Sequence, residues 1–155
     1  NPAVSLVMTL SGKLTWREFF AYAPAQFAGC IAGVGIAHAM FAEELCQYST
    51  KARDGMSLAL SEFVATFGLL GAILAISASR PSAVPAAVGL YITSAYWFTA
   101  STSFANPAVT VARAFTDTFA GIAPHSVPVF VAAQVLGALS AMLVFNGLLS
   151  RGSGK

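Results

Sequence analysis

Two copies of the tetrapeptide Asn-Pro-Ala-Val, at Asn1–Val4 and Asn106–Val109, carry the residues best placed to do chemistry in this sequence. Asparagine is a preferred N-cap residue because its side-chain oxygen accepts a backbone N–H bond, and proline is preferred at the first helical position. Each copy therefore predicts the start of a helix. The helix dipole places about half a positive charge at that start, so each copy marks a point that disfavours cations.

No other group of residues suggests catalysis or metal binding. Cys30 and Cys46 have no metal-binding spacing and are interpreted as small packing residues. The sequence has no G-x-S-x-G context, and His38 and His125 fall near the ends of apolar stretches, where we expect passive, interfacial positions. An intramembrane protease is therefore disfavoured. We expect no catalytic residue, no metal and no cofactor.

The composition around these motifs is that of a membrane protein. Of the 155 residues, 57% are hydrophobic and only 9% are charged, whereas a soluble domain has about a quarter charged residues. The mean hydropathy is +0.73. The net charge of +2 and the lack of a basic run give no reason to expect a nucleic-acid partner. No charged region precedes the first apolar residues, so no signal peptide is predicted.

Four stretches are long enough to cross a bilayer, which takes about 20 apolar residues. Two shorter stretches follow the tetrapeptides, and each would rise only about 15 Å, half of the hydrocarbon core. The predicted full spans are Trp16–Phe41, Leu58–Ser79, Val84–Thr102 and Val127–Leu149, and the predicted half-helices are Pro2–Leu10 and Pro107–Thr116.

The repeat is longer than the tetrapeptide, because each copy is followed by a span that carries A-Q-x-x-G, with Gln26 and Gly29 in the first and Gln134 and Gly137 in the second.

Three spans, an odd number, separate the two copies. The second half-helix must therefore enter from the opposite face, so that the two N-terminal ends meet near the midplane. Irregular backbone at that depth is tolerated only where it lines a cavity or is buried in protein. The two copies are thus predicted to form one pore constriction.

Lysine and arginine give the orientation. If the first half-helix enters from the cytoplasm, five basic residues lie inside and three lie outside or in the second re-entrant loop, which agrees with the positive-inside rule. The inside set is Lys13, Arg17, Arg80, Arg151 and Lys155, and the other set is Lys51, Arg53 and Arg113.

The two N-P-A boxes, the A-Q-x-x-G spans and the segment EFVATF that begins at Glu62 resemble the major intrinsic protein family, the aquaporins and aquaglyceroporins. The resemblance implies an all-α, right-handed helical bundle with two re-entrant half-helices. It also implies a homotetramer in the lipid bilayer, here assigned to a bacterial inner membrane, that conducts water or small neutral solutes passively. Residues 1–155 would form one partial domain with four full spans, because the first two of the family's six spans are missing from this sequence.

The resemblance also assigns roles to the boxes. Asn1 and Asn106 correspond to the paired pore asparagines, whose side-chain amides donate hydrogen bonds to a passing hydroxyl, although capping alone would also explain them. The other box residues are structural parts of the junction: Pro2, Ala3, Pro107 and Ala108.

The selectivity filter departs from the family pattern. The family usually has arginine directly after the second box, and this sequence has Val109. Ser103 and Ser94 occupy two further filter positions, with Tyr96 or Trp97 as alternatives to Ser94. Valine and small hydroxyl residues would leave a wide filter without the fixed charge. We therefore expect glycerol and urea as solutes rather than water alone, and the resemblance to the family adds arsenous acid, which is similar to glycerol in shape.

Arg113 allows two interpretations. It could pair with Asp117 on the surface, since the two are four residues apart in a predicted helix. It could instead lean into the mouth and restore some rejection of cations. The spacing favours the surface pair.

The remaining polar span residues have predicted structural roles. By resemblance, Glu62 holds the second half-helix loop by accepting backbone N–H bonds, and Gln26 and Gln134 tie helices together. Two alternatives to a channel remain. A secondary transporter with inverted repeats would usually place ionisable groups at midplane, where only Glu62 is available. A truncated chain could also conduct nothing.

Overall fold

The computed structural model describes residues 1–152, so the predicted cytoplasmic position of Lys155 lies outside the described residues. Six α-helices and three short 3₁₀ turns make up the described chain. The α-helices are α1 (Pro2–Leu10), α2 (Trp16–Phe41), α3 (Met56–Ser79), α4 (Val84–Phe98), α5 (Pro107–Ala112) and α6 (Val127–Gly152). The 3₁₀ turns are Pro81–Ala83, Arg113–Phe115 and Pro124–Ser126.

The helices confirm the all-α prediction, with one difference in the spans. Within the described residues, three helical segments are long and apolar enough to cross a membrane: Trp16–Phe41, Met56–Ser79 and Pro124–Leu149. The third predicted span, Val84–Thr102, is shorter than expected. Helix α4 has 15 residues and rises about 22 Å, less than the roughly 30 Å hydrocarbon core. It ends at Phe98, and Thr99 is extended (φ −103°, ψ 140°) at the start of the irregular loop that precedes the second box.

The second half-helix is also shorter than predicted. Helix α1 has the predicted bounds, Pro2–Leu10. Helix α5 ends at Ala112 and continues as the 3₁₀ turn Arg113–Phe115, after which Thr116 is extended (φ −138°, ψ 127°). The tightened turn carries the chain away from the helix axis before Thr116, the predicted end.

The main core lies between α1, α3 and α6. Its largest buried side chains on α3 are Leu69, Leu70 and Leu74, and alanines of α6 pack against them. Gly137 of α6 lies so close to α3 that an added Cβ would meet the carbonyl oxygen of Phe63. A small residue is therefore required where these two helix backbones approach each other.

A hydrogen bond joins the chain segments that enter α3 and α6 and marks one end of the bundle. The backbone N–H of Arg53, which lies just before α3, donates to Oγ of Ser126, which lies just before α6, at 3.1 Å. We call this end the Arg53 face. Helix α2 begins at the opposite end, which we call the Arg17 face. Helix α1 runs from the middle of the bundle toward the Arg17 face, whereas α5 runs toward the Arg53 face, as the inverted repeat predicts.

Candidate functional site: the junction of the two half-helices

The two asparagines lie where the half-helices meet. Asn1 caps α1 by accepting the backbone N–H of Ala3 at 3.1 Å, and its Nδ2 donates to the carbonyl oxygen of Ala105 at 2.7 Å. Asn106 caps α5 by accepting the N–H of Ala108 at 2.9 Å and of Val109 at 3.3 Å. A direct hydrogen bond therefore joins the start of α1 to the residue before Asn106, across 104 positions of sequence.

Helix capping uses the side-chain oxygen of each asparagine and not its nitrogen, so Nδ2 can still donate hydrogen bonds. The Oδ1 atoms of Asn1 and Asn106 are occupied by backbone N–H groups. In the described part of the chain, Nδ2 of Asn106 has no protein partner, and Nδ2 of Asn1 uses one of its two hydrogens. Both side chains are partly exposed. The junction therefore has amide N–H groups that can donate hydrogen bonds to an oxygen atom but cannot coordinate a cation.

A strained loop precedes Asn106 and is held by a buried carboxylate. Thr102, Ser103 and Ala105 all have positive φ, at 64°, 50° and 48°. For residues other than glycine this region is unfavourable, at about 1–3 kcal/mol each. Glu62 of α3, which is fully buried, accepts the backbone N–H of Phe104 and of Ala105, both at 2.8 Å. These are the bonds that the loop-supporting hypothesis for Glu62 requires.

Each half-helix is also tied to the span that follows it by a glutamine. Gln26 Nε2 donates to Ser5 Oγ at 2.9 Å, and Gln134 Nε2 donates to Thr110 Oγ1 at 2.8 Å. Ser5 and Thr110 each lie four residues after the box asparagine. Gln134 also donates to Glu62 at 2.6 Å. The predicted role of the two glutamines as ties between helices is confirmed.

The predicted filter residues differ in their surroundings. Val109 is partly exposed on α5, whereas Ser103 is buried, with no partner for its hydroxyl among the described residues. Ser94 is exposed on α4, and its hydroxyl donates to the carbonyl oxygen of Leu90 at 2.9 Å. The alternatives on α4, Tyr96 and Trp97, are also exposed. Within the described chain, no hydrogen bond links Ser94 to either of the other two filter residues.

The surface pair favoured for Arg113 is wrong. Asp117 accepts the backbone N–H of Thr50 at 2.7 Å and its hydroxyl at 3.0 Å, and no described ion pair joins it to Arg113. The helical spacing fails because α5 gives way to the 3₁₀ turn at Arg113, so Asp117 does not lie on a helix. The guanidinium of Arg113 lies over the ring of Phe104, with Cζ 4.1 Å from the ring centroid.

His38 lies near the end of α2, as predicted, but it is buried, which was not predicted. Its Nε2 lies 2.8 Å from Thr116 Oγ1. It thereby connects the end of α2 to the chain that leaves α5. His125 is exposed, as expected, and its Nε2 lies 3.2 Å from Asp54 Oδ2. The hydrogen bond from Ser126, followed by that from His125, holds the pKa of the Asp54 carboxyl below its ordinary value.

Sequence reasoning missed a set of hydrogen bonds that fixes the loop between α2 and α3 to the loops on both sides of α5. The guanidinium of Arg53 donates to three backbone carbonyl oxygens, those of Gly121, Ser101 and Phe119. Burial lowers the pKa of Arg53. The N–H of Ser49 donates to the carbonyl oxygen of Ala114 at 2.9 Å. The partners are far apart in sequence, so no local signal could have revealed these contacts.

Two oppositely directed half-helices that meet at their N-terminal ends inside a bundle of spanning helices define the class of this protein, an integral membrane protein of the aquaporin type. The comparison with family models agrees: the chain belongs to the major intrinsic protein family, whose model matches residues 1–95. That family consists of channels and not of enzymes.

Two curated relatives are similar to the chain. Aquaglyceroporin AqpS of Rhizobium meliloti (strain 1021) is 56% identical over 149 residues, which are 96% of this chain and 64% of that protein. Aquaporin-10 of Milnesium tardigradum is 48% identical over 48 residues, 31% of this chain and 12% of that protein. The chain therefore spans 64% of the length of AqpS. No solved structure gives a significant match.

Proposed function

We propose that the protein is part of a passive channel for water and small neutral solutes, with a wide filter that admits glycerol, urea and arsenous acid. The observation that carries this proposal is the junction of the two half-helices, where Asn1 and Asn106 cap the helices with their side-chain oxygens and the amide of Asn1 also donates to Ala105. The similarity to a protein named an aquaglyceroporin supports the same solute class.

The mechanism follows from the polarity of the groups along the path. A solute hydroxyl or carbonyl oxygen would lose water at the mouth beside Ser94, Ser103 and Val109, and would then accept hydrogen bonds from the amides of Asn1 and Asn106. The N-terminal ends of α1 and α5 disfavour a cation at the same point. No step needs a gradient, a cofactor or a covalent bond to the solute.

The filter width is part of this proposal. Valine lacks the five N–H donors and the fixed charge that arginine would place in the mouth. Val109 thus leaves an apolar wall, against which the carbon side of glycerol can pack. A site built this way discriminates weakly, because one methylene is worth only about 1–3 kcal/mol.

We further propose that the Arg17 face is cytoplasmic, that the membrane is a bacterial inner membrane and that the assembly is a homotetramer. The distribution of Lys and Arg supports the orientation, and the family resemblance supports the assembly and its location.

The asparagine proposal is tested with substitutions that preserve the cap. Serine and aspartate cap helices about as well as asparagine, so Asn106→Ser and Asn106→Asp should fold, but both remove the amide donors. Glycerol flux into proteoliposomes, followed by light scattering, should fall by about tenfold, which corresponds to one lost hydrogen bond of about 1.4 kcal/mol. Asn106→Asp should also admit cations, because it adds a negative charge.

Three outcomes would contradict the proposal. Unchanged glycerol flux in both variants would mean that Asn106 is only a cap. Flux that depends on a proton or sodium gradient would indicate a secondary transporter. Folded protein without any flux would mean that the 155-residue chain does not conduct.

A further inference from the structure

We propose that Arg113 supplies the positive charge of the pore mouth on the Arg53 face, in place of the arginine that is absent at Val109. This inference rests on the proposed channel function and names a residue that determines its selectivity. The backbone of Arg113 lies about one helical turn, roughly 5–6 Å, farther along α5 than that of Val109, and its guanidinium lies over the ring of Phe104. The mouth would then combine a wide apolar wall with rejection of cations.

The pattern of exposure on the second half-helix places Arg113 on the same face as the other candidate pore residues. Asn106, Val109 and Arg113 follow one another at spacings of three and four residues, which align on one side of a helix. All three are partly exposed, whereas Ala108, Thr110 and Ala112 between them are buried; Val111 is partly exposed as well. The partly open side of α5 therefore runs from the junction through the filter valine to the Arg113 guanidinium.

The hydrogen-bond donors of Arg113 are free, in contrast to those of its neighbour Arg53. The two guanidiniums both contact the ring of Phe104, with Cζ to centroid distances of 4.1 Å for Arg113 and 4.9 Å for Arg53. The guanidinium of Arg53 donates hydrogen bonds to three backbone carbonyl oxygens. In the described chain Arg113 makes no side-chain hydrogen bond, so the ring positions it while its N–H groups remain available.

No neighbouring acid forms a described ion pair with Arg113. The carboxylate of Glu62 accepts two backbone N–H groups and an amide, and that of Asp117 accepts both donors of Thr50. Glu43 and Arg113 both line a cavity of about 430 Å³ on this face, but Glu43 accepts from Gln47 and forms no described ion pair with Arg113. A guanidinium without an ion pair, beside the proposed passage, would repel cations and donate hydrogen bonds to solute oxygens.

The charge can be measured without any flux, through the reactivity of a thiol at the filter position. We would introduce Val109→Cys after Cys30→Ala and Cys46→Ser have removed the native thiols. The purified protein in detergent would react separately with a positively charged and a negatively charged methanethiosulfonate reagent of similar size. The ratio of the two rates, negative over positive, reports the electrostatic potential beside residue 109.

Arg113→Met is the principal change, because methionine can still pack on Phe104 without the charge. We expect the rate ratio to fall by at least about tenfold, equivalent to about 1.4 kcal/mol, since the reagents differ by two charges and the backbone of Arg113 lies about a turn away. Arg113→Gln is a second uncharged variant in case methionine fails to fold. Arg113→Lys should keep the ratio, and Arg17→Met, which removes a charge from the opposite face, should leave it unchanged.

A ratio that stays within about twofold of the parent in Arg113→Met or Arg113→Gln would overturn the proposal, because a unit charge at that distance must act on charged reagents. A fall that Arg17→Met reproduces would overturn it as well. The labelling result does not depend on conduction. If the unsubstituted protein showed no glycerol flux, that result would therefore contradict the proposed channel function but not the proposed position of the charge.

Discussion

Replacing Glu62 by glutamine should destabilise the protein strongly. Both oxygens of the Glu62 carboxylate accept hydrogen bonds, so neither can be replaced by the NH₂ group of a glutamine without the loss of a bond. The carboxylate accepts Phe104 N–H and Ala105 N–H at 2.8 Å each and Gln134 Nε2 at 2.6 Å. Glutamine keeps the shape but has only one acceptor oxygen. At least one buried donor would then face an amide nitrogen and lose its partner.

The magnitude follows from these contacts. A buried donor without a partner costs about 1–3 kcal/mol, and each remaining bond weakens from a charged to a neutral one. Relief of the buried charge offsets part of the loss. The net loss is about 2–4 kcal/mol, a large fraction of a stability of about 5–15 kcal/mol. The positive-φ residues Thr102, Ser103 and Ala105 should be released first, since Glu62 holds the backbone among them.

The assay is equilibrium unfolding in mixed micelles, with circular dichroism as the readout. Glu18→Gln is the matched control: the same substitution at an exposed acid whose carboxylate accepts the backbone N–H of Thr15 at 2.8 Å. A change at a helix cap there should cost about 1 kcal/mol or less. If Glu62→Gln were no more harmful than Glu18→Gln, the carboxylate would not be what holds the loop, and the reasoning would fail.

Three further predictions concern the filter, an outer loop and the packing of two helices. Val109→Arg should lower glycerol flux relative to water flux by about tenfold, measured in proteoliposomes; an unchanged ratio would place the filter elsewhere. The backbone N–H of Thr50, and then its hydroxyl, hold the pKa of Asp117 below its ordinary value of 3.8. The stability that these bonds contribute is fully present at a pH above the ordinary pKa, and it is lost as the pH falls through the lower pKa of the folded protein. Asp117→Asn has no such carboxylate to protonate, so acid should lower its melting temperature less than that of the parent. Gly137→Ala should destabilise by about 1–3 kcal/mol in the same unfolding assay, because the new Cβ meets the Phe63 carbonyl oxygen; a neutral result would mean that α3 and α6 separate freely.

The sequence predicted the parts of the fold that depend on local signals. The bounds of α1 and α2 follow from a cap, a proline and a long apolar run, and the structure has them where predicted. The ties made by Gln26 and Gln134 were accessible because the repeat places each glutamine at an equivalent position after its box. An internal repeat supplies long-range information that a single sequence otherwise lacks.

The contacts on the Arg53 face could not be predicted in the same way. The partners of Arg53 are backbone carbonyl groups as many as 68 residues away, and any residue type provides a carbonyl oxygen. The neighbour of His38 is Thr116, 78 residues away. Neither spacing nor composition distinguishes such partners, so burial of His38 in particular had no signal in the sequence.

Arg113 shows why a correct local rule can give a wrong partner. The spacing of four residues to Asp117 stabilises a pair only where both residues lie on a continuous helix. The half-helix was predicted to end at Thr116, so the pair already depended on a helix that reached its last turn intact. In the structure the helix tightens at Arg113 and Thr116 is extended, which turns Asp117 toward Thr50. Because α5 ends early, Asp117 accepts hydrogen bonds from Thr50 instead of pairing with Arg113, and the Arg113 guanidinium is left without a described carboxylate partner. The charge proposed for the mouth therefore depends on this break in the helix.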